Sequence, residues 1–130
     1  MGTITKFEDL EIWKLARKLC SDVNTIITET DLNRDYQLKE QISRSSGSIM
    51  DNIAEGFERN GTKEFRQFLS IAKGSCGETR SQLYRIFDKN YIEKDKFNEM
   101  TVITNELGNK IGSFIKYLNY SDHKGTKFKS

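Results

Sequence analysis

Residues 41–66 of this 130-residue chain read QISRSSGSIMDNIAEGFERNGTKEFR. Successive residues of an α-helix are turned by about 100°, and at that spacing the stretch forms a helix with two distinct sides. The apolar side, which begins just upstream, carries Leu38, Ile42, Ile49, Ile53 and Phe57. The nearly opposite side carries a set that we call the polar stripe: Gln41, Arg44, Ser48, Asn52, Glu55 and Arg59. A helix needs only its apolar side to fold, so the polar stripe is the first place to look for a partner.

Upstream of this stretch, apolar residues spaced by three and four predict a first helix from about Asp9 to Thr28. Two adjacent apolar rows make its buried band wide enough to contact two neighbouring helices. The rows are Trp13, Ala16, Cys20, Val23 and Ile27, and Ile12, Leu19 and Ile26. The polar segment Thr28–Arg34 predicts a loop, with Asp31 or Asn33 as the N-cap of a second helix that runs to about Arg59.

The middle of the second helix, Ser43–Ser48, is rich in serine and contains Gly47. Such residues cost a helix roughly 0.5 to 1 kcal/mol each relative to alanine. Two interpretations remain open. Either Ser45, Ser46 and Gly47 allow a neighbouring backbone to approach closely, or the helix breaks at this point.

Downstream, Asn60-Gly61-Thr62 predicts the end of the second helix at a left-handed glycine and an N-cap at Thr62. A period of about 3.6 residues predicts a third helix from Lys63 to about Phe87, in which Thr79 fills an apolar position. After a turn at Asp88–Tyr91, a fourth helix keeps strict three-four spacing through Phe97, Met100, Thr104, Leu107, Ile111, Phe114 and Leu118. Short connections make consecutive helices antiparallel, so we predict an all-α, up-down-up-down four-helix bundle.

Composition supports a single helical domain. Proline is absent, and 31% charged against 35% hydrophobic residues suits narrow amphipathic helices. We expect one domain over residues 1–120 and a disordered basic tail over residues 121–130, where periodicity ends. No run approaches the roughly 18 apolar residues of a membrane helix, and Met1–Lys6 lacks the apolar core of a signal peptide. A cytoplasmic location without membrane partners is therefore expected.

Most catalytic constellations lack their required residues. The single histidine, His123, lies in the tail, which excludes the paired Glu-x-x-His motifs of di-iron bundles and a histidine-activated nucleophile. Cys20 and Cys76 lack the C-x-x-C spacing of a metal or redox site and are predicted to be buried thiols. Gly74 and Gly77 lie inside a helical pattern, where a helix–helix contact is favoured over a phosphate loop. We expect no enzymatic activity, cofactor or metal.

The formal net charge of +2 does not by itself indicate nucleic-acid binding. Lys124, Lys127 and Lys129 against Asp122 give the last ten residues that entire excess, so the first 120 residues sum to zero. Phosphate binding therefore depends on how the arginines and lysines are arranged rather than on their total.

Two sets of residues are candidates for a site. Gln, Ser, Asn and Arg suit specific hydrogen bonds better than the Lys, Glu and Ala of an ordinary exposed helix. The first set predicts a subunit interface or an internal polar network and comprises Gln41, Arg44, Ser48, Asn52, Glu55, Arg59 and Glu78. The second predicts a phosphate-contacting surface and comprises Arg59, Lys63, Arg66, Lys73, Arg80 and Arg85. A plain solvated face remains the third interpretation.

Three motifs also carry a family resemblance. They are Phe7-x-Asp9-Leu10-x-x-Trp13-x-x-Ala16, Gln41-x-x-Arg44-x-x-x-Ser48-x-x-x-Asn52-Ile53-Ala54-Glu55-Gly56-x-x-Arg59, and Glu64-Phe65-x-x-Phe68-Leu69-x-x-Ala72-x-Gly74-Ser75-x-x-Glu78. Over about residues 7–118 the chain closely resembles the four-helix-bundle proteins encoded in intervening sequences of bacterial 23S ribosomal RNA genes. That family is related to the accessory variability protein of diversity-generating retroelements.

The resemblance implies a ring-like homopentamer with a basic surface proposed to bind nucleic acid and, in the retroelement case, a reverse transcriptase. It assigns no catalytic role to the signature residues. The neutral charge of the first 120 residues departs from a strongly basic surface.

We therefore expect a non-enzymatic, oligomeric binding or assembly module that contacts structured RNA or a ribonucleoprotein. The alternative is a protein-only scaffold in which the polar stripe of the second helix is the subunit interface.

Overall fold

Four α-helices account for most of residues 4–124, which are the residues that the computed structural model describes. They are α1 (Glu11–Glu29), α2 (Tyr36–Glu58), α3 (Thr62–Asp88) and α4 (Lys94–Lys124). Short 3₁₀ turns, Phe7–Asp9 and Asp31–Arg34, precede α1 and α2. Within residues 4–124 there is no strand, and the predicted all-α class is confirmed.

Contacts between α2 and α3 run in opposite directions along the two helices. Gln41, near the start of α2, meets Arg85 near the end of α3, and Ser48 further along α2 meets Ser75. Each helix also packs on its neighbour in sequence, and α1 packs on α4 to complete the bundle. The antiparallel four-helix bundle predicted from the short connections is thus the observed fold.

The predicted apolar positions form the core between the helices. Leu19 of α1, Ile49 of α2, Leu69 of α3 and Leu107 of α4 have no solvent exposure. Thr79 fills its predicted apolar position and is also fully buried. Both predicted rows of α1 face the bundle, which explains why this helix contacts both α2 and α4.

The two cysteines are free thiols, as predicted, but the prediction that both are buried holds only for Cys76. Cys76 is buried and its Sγ donates to the carbonyl oxygen of Thr104 at 3.0 Å. Burial raises the pKa of Cys76 to about 11. Cys20 is half-buried, its Sγ donates to the carbonyl oxygen of Ser46 at 3.2 Å, and burial raises its pKa as well. Both thiols are therefore protonated at neutral pH and behave as small apolar groups.

The prediction of Asp31 or Asn33 as the cap of α2 is wrong. These residues lie in the 3₁₀ turn Asp31–Arg34, which buries Leu32 completely and delays the helix start. The cap of α2 is Asp35, whose Oδ1 accepts from the backbone N–H of Leu38 at 3.3 Å. The deciding constraint is the burial of Leu32, which helical spacing alone does not reveal.

The serine-rich middle of α2 is helical without interruption, so the interpretation of a helix break is wrong. Ser45 and Ser46 are buried, and the Ser46 hydroxyl donates to the carbonyl oxygen of Ile42 at 2.7 Å. A Cβ atom added at Gly47 would meet nothing within 4 Å. The predicted close approach therefore does not occur at Gly47.

The close approach between α2 and α3 occurs instead at Gly56. A Cβ atom built there would lie 2.6 Å from the Cβ of Phe68 and 3.0 Å from a ring carbon of Phe65. The next turn depends on Gly61, whose φ of 107° is one that glycine adopts readily. Thr62 is the first residue of α3 rather than its predicted N-cap, and Gly61, which has no side chain, occupies the N-cap position.

The predicted helix–helix contact at Gly74 and Gly77 is also wrong. An added Cβ atom would meet nothing within 4 Å at either position, and both residues are exposed. The two glycines lie on the outer surface of α3, where they weaken the helix without improving its packing in this chain.

The fourth helix continues to Lys124, past the expected domain boundary at residue 120. The remaining part of the predicted disordered tail lies outside the described residues.

A polar cluster joins the start of α2 to the end of α3. The Oδ2 atom of Asp35 accepts from Lys89 Nζ and from the Tyr91 hydroxyl, both at 2.9 Å. The ammonium of Lys89 and the hydroxyl of Tyr91 lower the pKa of Asp35, whose side chain is only 14% exposed. The same hydrogen bond raises the pKa of Tyr91.

Replacing Gly56 with alanine is predicted to destabilise the bundle by about 1 to 3 kcal/mol, because the added methyl overlaps the Cβ of Phe68. Chemical denaturation measures the change in the free energy of unfolding. The matched control is Gly77→Ala, where the space is open and the gain in helix propensity raises stability by about 0.5 to 1 kcal/mol. A destabilising Gly77→Ala, or a neutral Gly56→Ala, would contradict this account.

Asp35→Asn is predicted to lower the stability of the fold at neutral pH. It should also make that stability fall less steeply as the pH is lowered. A carboxyl group with a lowered folded pKa contributes stability that is fully present above its ordinary pKa of 3.8. That contribution is lost as pH falls through the lower folded value. Urea midpoints from neutral pH to about pH 2 measure the effect. Asp51→Asn, an exposed position on α2, is the control that should keep the acid dependence of the unchanged protein.

Candidate functional site on the two sides of the third helix

The polar stripe lies along the edge where α2 meets α3, not on the side of α2 opposite the core. Gln41, Ser48 and Asn52 are half-buried, whereas Arg44 and Glu55 are exposed. Helical spacing gives the angle of each residue correctly, but α3 packs against the flank that carries the stripe. Ser48 and Asn52 thus lie in a polar contact within the chain, one of the interpretations that the sequence left open, whereas Arg44 and Glu55 remain exposed.

Behind the stripe lies a chain of buried hydrogen bonds between α2 and α3. The hydroxyl of Thr79 lies 2.8 Å from Ser45 Oγ, and Ser45 in turn donates to the Oε1 atom of Gln82 at 2.6 Å. All three side chains are at most 5% exposed. Buried polar groups need such partners, so this network fixes the register of the two helices.

Two stripe residues extend this contact along α2. Ser48 and Ser75 share a hydrogen bond of 2.9 Å between their hydroxyls, and Asn52 Nδ2 donates to Ser48 Oγ at 3.0 Å. Asn52 Nδ2 also donates to the carbonyl oxygen of Ser48 at 2.8 Å. These side chains form hydrogen bonds inside the chain.

Arg59 is held by carboxylates at the end of α2. Its guanidinium lies 2.7 Å from Glu55 Oε2 and 3.9 Å from Glu64 Oε2, and it covers the ring of Phe68 at 5.1 Å. The hydrogen bond with Glu55 raises the pKa of Arg59. Two carboxylates already face this cation, so Arg59 is a poor candidate for phosphate contact.

A polar cleft of about 510 Å³ opens between α2 and α3 above the buried network. Arg85 lies at its rim, where its Nη1 donates to Gln41 Oε1 at 2.8 Å. Arg44 lies opposite, with Glu40 at 3.7 Å as its nearest carboxylate. The cleft is lined by Gln41, Arg44, Ser45, Ser48, Ser75, Glu78, Ser81, Gln82 and Arg85.

The other side of α3 carries four of the six cations predicted to contact phosphate. We call this set, Lys63, Arg66, Lys73 and Arg80, the basic row. Arg80 donates to Asn105 of α4. The side chain of Lys73 lies across Gly112, where an added Cβ would be 3.2 Å from its Cε. These contacts place the row along the groove between α3 and α4.

Lys63 and Arg66 lie at the far end of that groove, beside a small cavity of about 290 Å³. The cavity is lined by Lys63, Arg66, Gln67, Ser70, Ile115 and Asn119. Arg59 and Arg85, the other two predicted cations, lie on the α2 side of α3 instead.

Two cations of the basic row, Lys73 and Arg80, pair with no carboxylate among residues 4–120. Between Lys63 and Arg80 the sequence of α3 has two carboxylates, of which Glu64 faces Arg59 and Glu78 lines the polar cleft. Between residues 101 and 119 of α4 the sequence has only Glu106, whose charge acts on Lys110. Lys110 in turn pairs with Glu11 of α1 at 2.7 Å. Glu106 precedes Lys110 by one helical turn, so it lies on the same flank of α4, toward α1.

One further cation was missed by sequence reasoning. Lys116 is exposed one helical turn after Gly112, so it adds a fifth positive charge beside the basic row. Thr79, Ser45 and Gln82 were also not assigned to a site. The sequence does place these polar residues on otherwise apolar helix faces. Residue spacing does not show which neighbouring helix they contact.

Among residues 4–120, whose side chains the structure describes, no three His, Cys, Asp or Glu residues are grouped to hold a metal ion. None of the helices described there combines the length and apolarity needed to cross a membrane.

The protein is a four-helix bundle with polar residues on either side of α3. The family model described as 23S rRNA-intervening sequence protein matches residues 8–113, and the chain belongs to that family. A crystal structure from Bacteroides thetaiotaomicron, described as a protein of unknown function from the S23 ribosomal protein family, has the same fold with a TM-score of 0.73. It is 21% identical, over 81% of this chain and 98% of that one. No curated protein matches the chain significantly.

Proposed function

We propose that this protein is a non-enzymatic, self-associating module that contacts RNA phosphates through the basic row and Lys116. The observation that supports this proposal is the segregation of charge around α3. Five cations lie along the groove between α3 and α4, while Glu64, Glu78 and Glu106 lie toward other groups. The first 120 residues, whose formal charges sum to zero, can therefore still present a positive face to a polyanion.

The basic row has the form of a linear track. Lys63 and Arg80 are separated by about 25 Å along the helix, at 1.5 Å per residue. Lys73 lies between them with its ammonium group paired to no carboxylate among residues 4–120. Arg80 is oriented by the neutral side chain of Asn105, so its charge also remains available. Cations spaced along one line suit a phosphate backbone.

RNA is the proposed polyanion because the family description refers to 23S rRNA. No reaction is proposed for the face. Arg80 is positioned by the neutral side chain of Asn105 and Lys73 by packing against Gly112, an arrangement suited to binding phosphate rather than to moving protons.

Neutralising the row is predicted to weaken RNA binding and reduce its dependence on salt. Removing one cation that touches a phosphate should lower the slope of log affinity against log salt concentration by about 0.7 to 0.9. Lys73→Gln and Arg80→Gln are tested singly and together by fluorescence anisotropy across a salt series. RNA affinity that does not fall between low and moderate ionic strength would exclude phosphate contact as the driving force.

The control for this series is Lys14→Gln, which removes the same charge from an exposed position on α1. It should leave both the affinity and the salt slope unchanged. An equal loss of affinity in Lys14→Gln and Lys73→Gln would show that only total charge matters and would contradict a defined binding face.

The alternative function, a protein-only scaffold, has support on the α2 side of α3. Ile71 is 52% exposed one helical turn before Ser75, at the end of the polar cleft, and is a large apolar side chain in a polar setting. Ser48 and Asn52 already form hydrogen bonds within the chain. A subunit interface here would therefore use Ile71 together with the exposed rim residues of the cleft, and we propose this face as the contact in a homopentamer.

Ile71→Glu is predicted to dissociate such an oligomer, because a charge would be buried without a partner in the contact. Light scattering coupled to size exclusion measures the mass. Val102→Glu is the matched control, since Val102 is an equally exposed aliphatic residue on α4, at 62% exposure. An oligomer that persists in Ile71→Glu would exclude this face as the subunit interface.

A further inference from the structure

The groove between α3 and α4 ends beside an exposed aromatic ring. Tyr84 follows Arg80 by one turn of α3 and is 53% exposed. Its ring is positioned by Phe97 of α4, with the ring centroids 4.8 Å apart and the planes inclined at 73°. The ring is therefore held in place while about half of its surface faces solvent next to a cation.

At the other end of the groove lies the cavity beside Lys63. Its wall is part apolar, from Ile115, and part amide, from Gln67 and Asn119. A volume of about 290 Å³ is enough for one planar heterocycle with its sugar, and the amides offer both donors and acceptors. An aromatic ring and a cavity of this kind thus lie at the two ends of one track of cations.

We infer that this face binds single-stranded RNA, with one base stacked on Tyr84 and another held in the cavity against Ile115. The inference rests on the proposed function and narrows it from RNA in general to unpaired RNA. The cations from Lys63 to Arg80 contact the phosphates between the two bases.

Unpaired RNA fits this face better than a duplex for two reasons. In a duplex the bases are stacked on one another, so a protein ring such as Tyr84 has no base face to cover. The amides of Gln67 and Asn119 can hydrogen-bond the edges of a base only when that base is turned out of a helix. Proteins that bind single strands combine a positive groove with aromatic platforms in this way.

The experiment compares a labelled oligouridylate of about 15 nucleotides with an RNA duplex of the same length, by fluorescence anisotropy at fixed salt. The single strand is expected to bind more tightly. Tyr84→Ala should weaken single-strand binding by about fivefold or more, the loss typical of one base–aromatic stack. The same change should alter duplex binding by less than about twofold.

Three further variants serve as controls for this experiment. Tyr84→Phe keeps the ring and should bind like the unchanged protein, whereas Tyr84→Leu keeps an apolar contact with Phe97 but removes the ring and should behave like Tyr84→Ala. Tyr36→Ala removes a more exposed tyrosine, 73% exposed at the start of α2, and should have no effect. Circular dichroism and a thermal melt show that each variant is folded.

Equal affinity for the two RNAs, or unchanged single-strand affinity in both Tyr84→Ala and Tyr84→Leu, would overturn the inference. In those cases salt-dependent binding that is weakened in Lys73→Gln and Arg80→Gln would leave the proposed function standing. Failure of either RNA to bind in a salt-dependent way would overturn both.

Discussion

The close contact between α2 and α3 at Gly56 is the constraint on which the rest of the molecule depends. With no side chain at that position, the two helices meet closely at their shared turn and remain in register along the buried hydrogen bonds of Thr79, Ser45 and Gln82. That register decides which residues of α2 border α3. It also sets which side of α3 is left for α4, and so separates the polar cleft from the basic row.

The fold was largely predictable from the sequence because it depends on periodicity. The spacing of apolar residues in α4 and the burial of Thr79 on the apolar stripe of α3 required no knowledge of neighbours. The errors arose where a tertiary contact overrode local preference. Burial of Leu32 moved the start of α2 to Tyr36, and Gly74 and Gly77 lie on open surface although glycines inside a helix favour a close contact.

The candidate sites were predictable in their residue types but not in their grouping. Six cations were selected from the sequence. Arg59 pairs with two carboxylates, whereas Lys73 lies across Gly112 of α4 and pairs with no carboxylate among residues 4–120. The difference depends on which helix packs on which flank of α3, and helical angles do not contain that information. Lys116 was missed for the same reason, since its relevance comes only from the position of α4 beside the row.

The protonated state of the two thiols has a practical consequence. Alkylating reagents react with thiolates, and the raised pKa values of Cys20 and Cys76 leave almost none at neutral pH. A cysteine introduced at an exposed position would therefore react with a maleimide far faster than either native one. Fluorophores or spin labels can in this way be attached to either side of α3 in a chain that keeps both of its own cysteines.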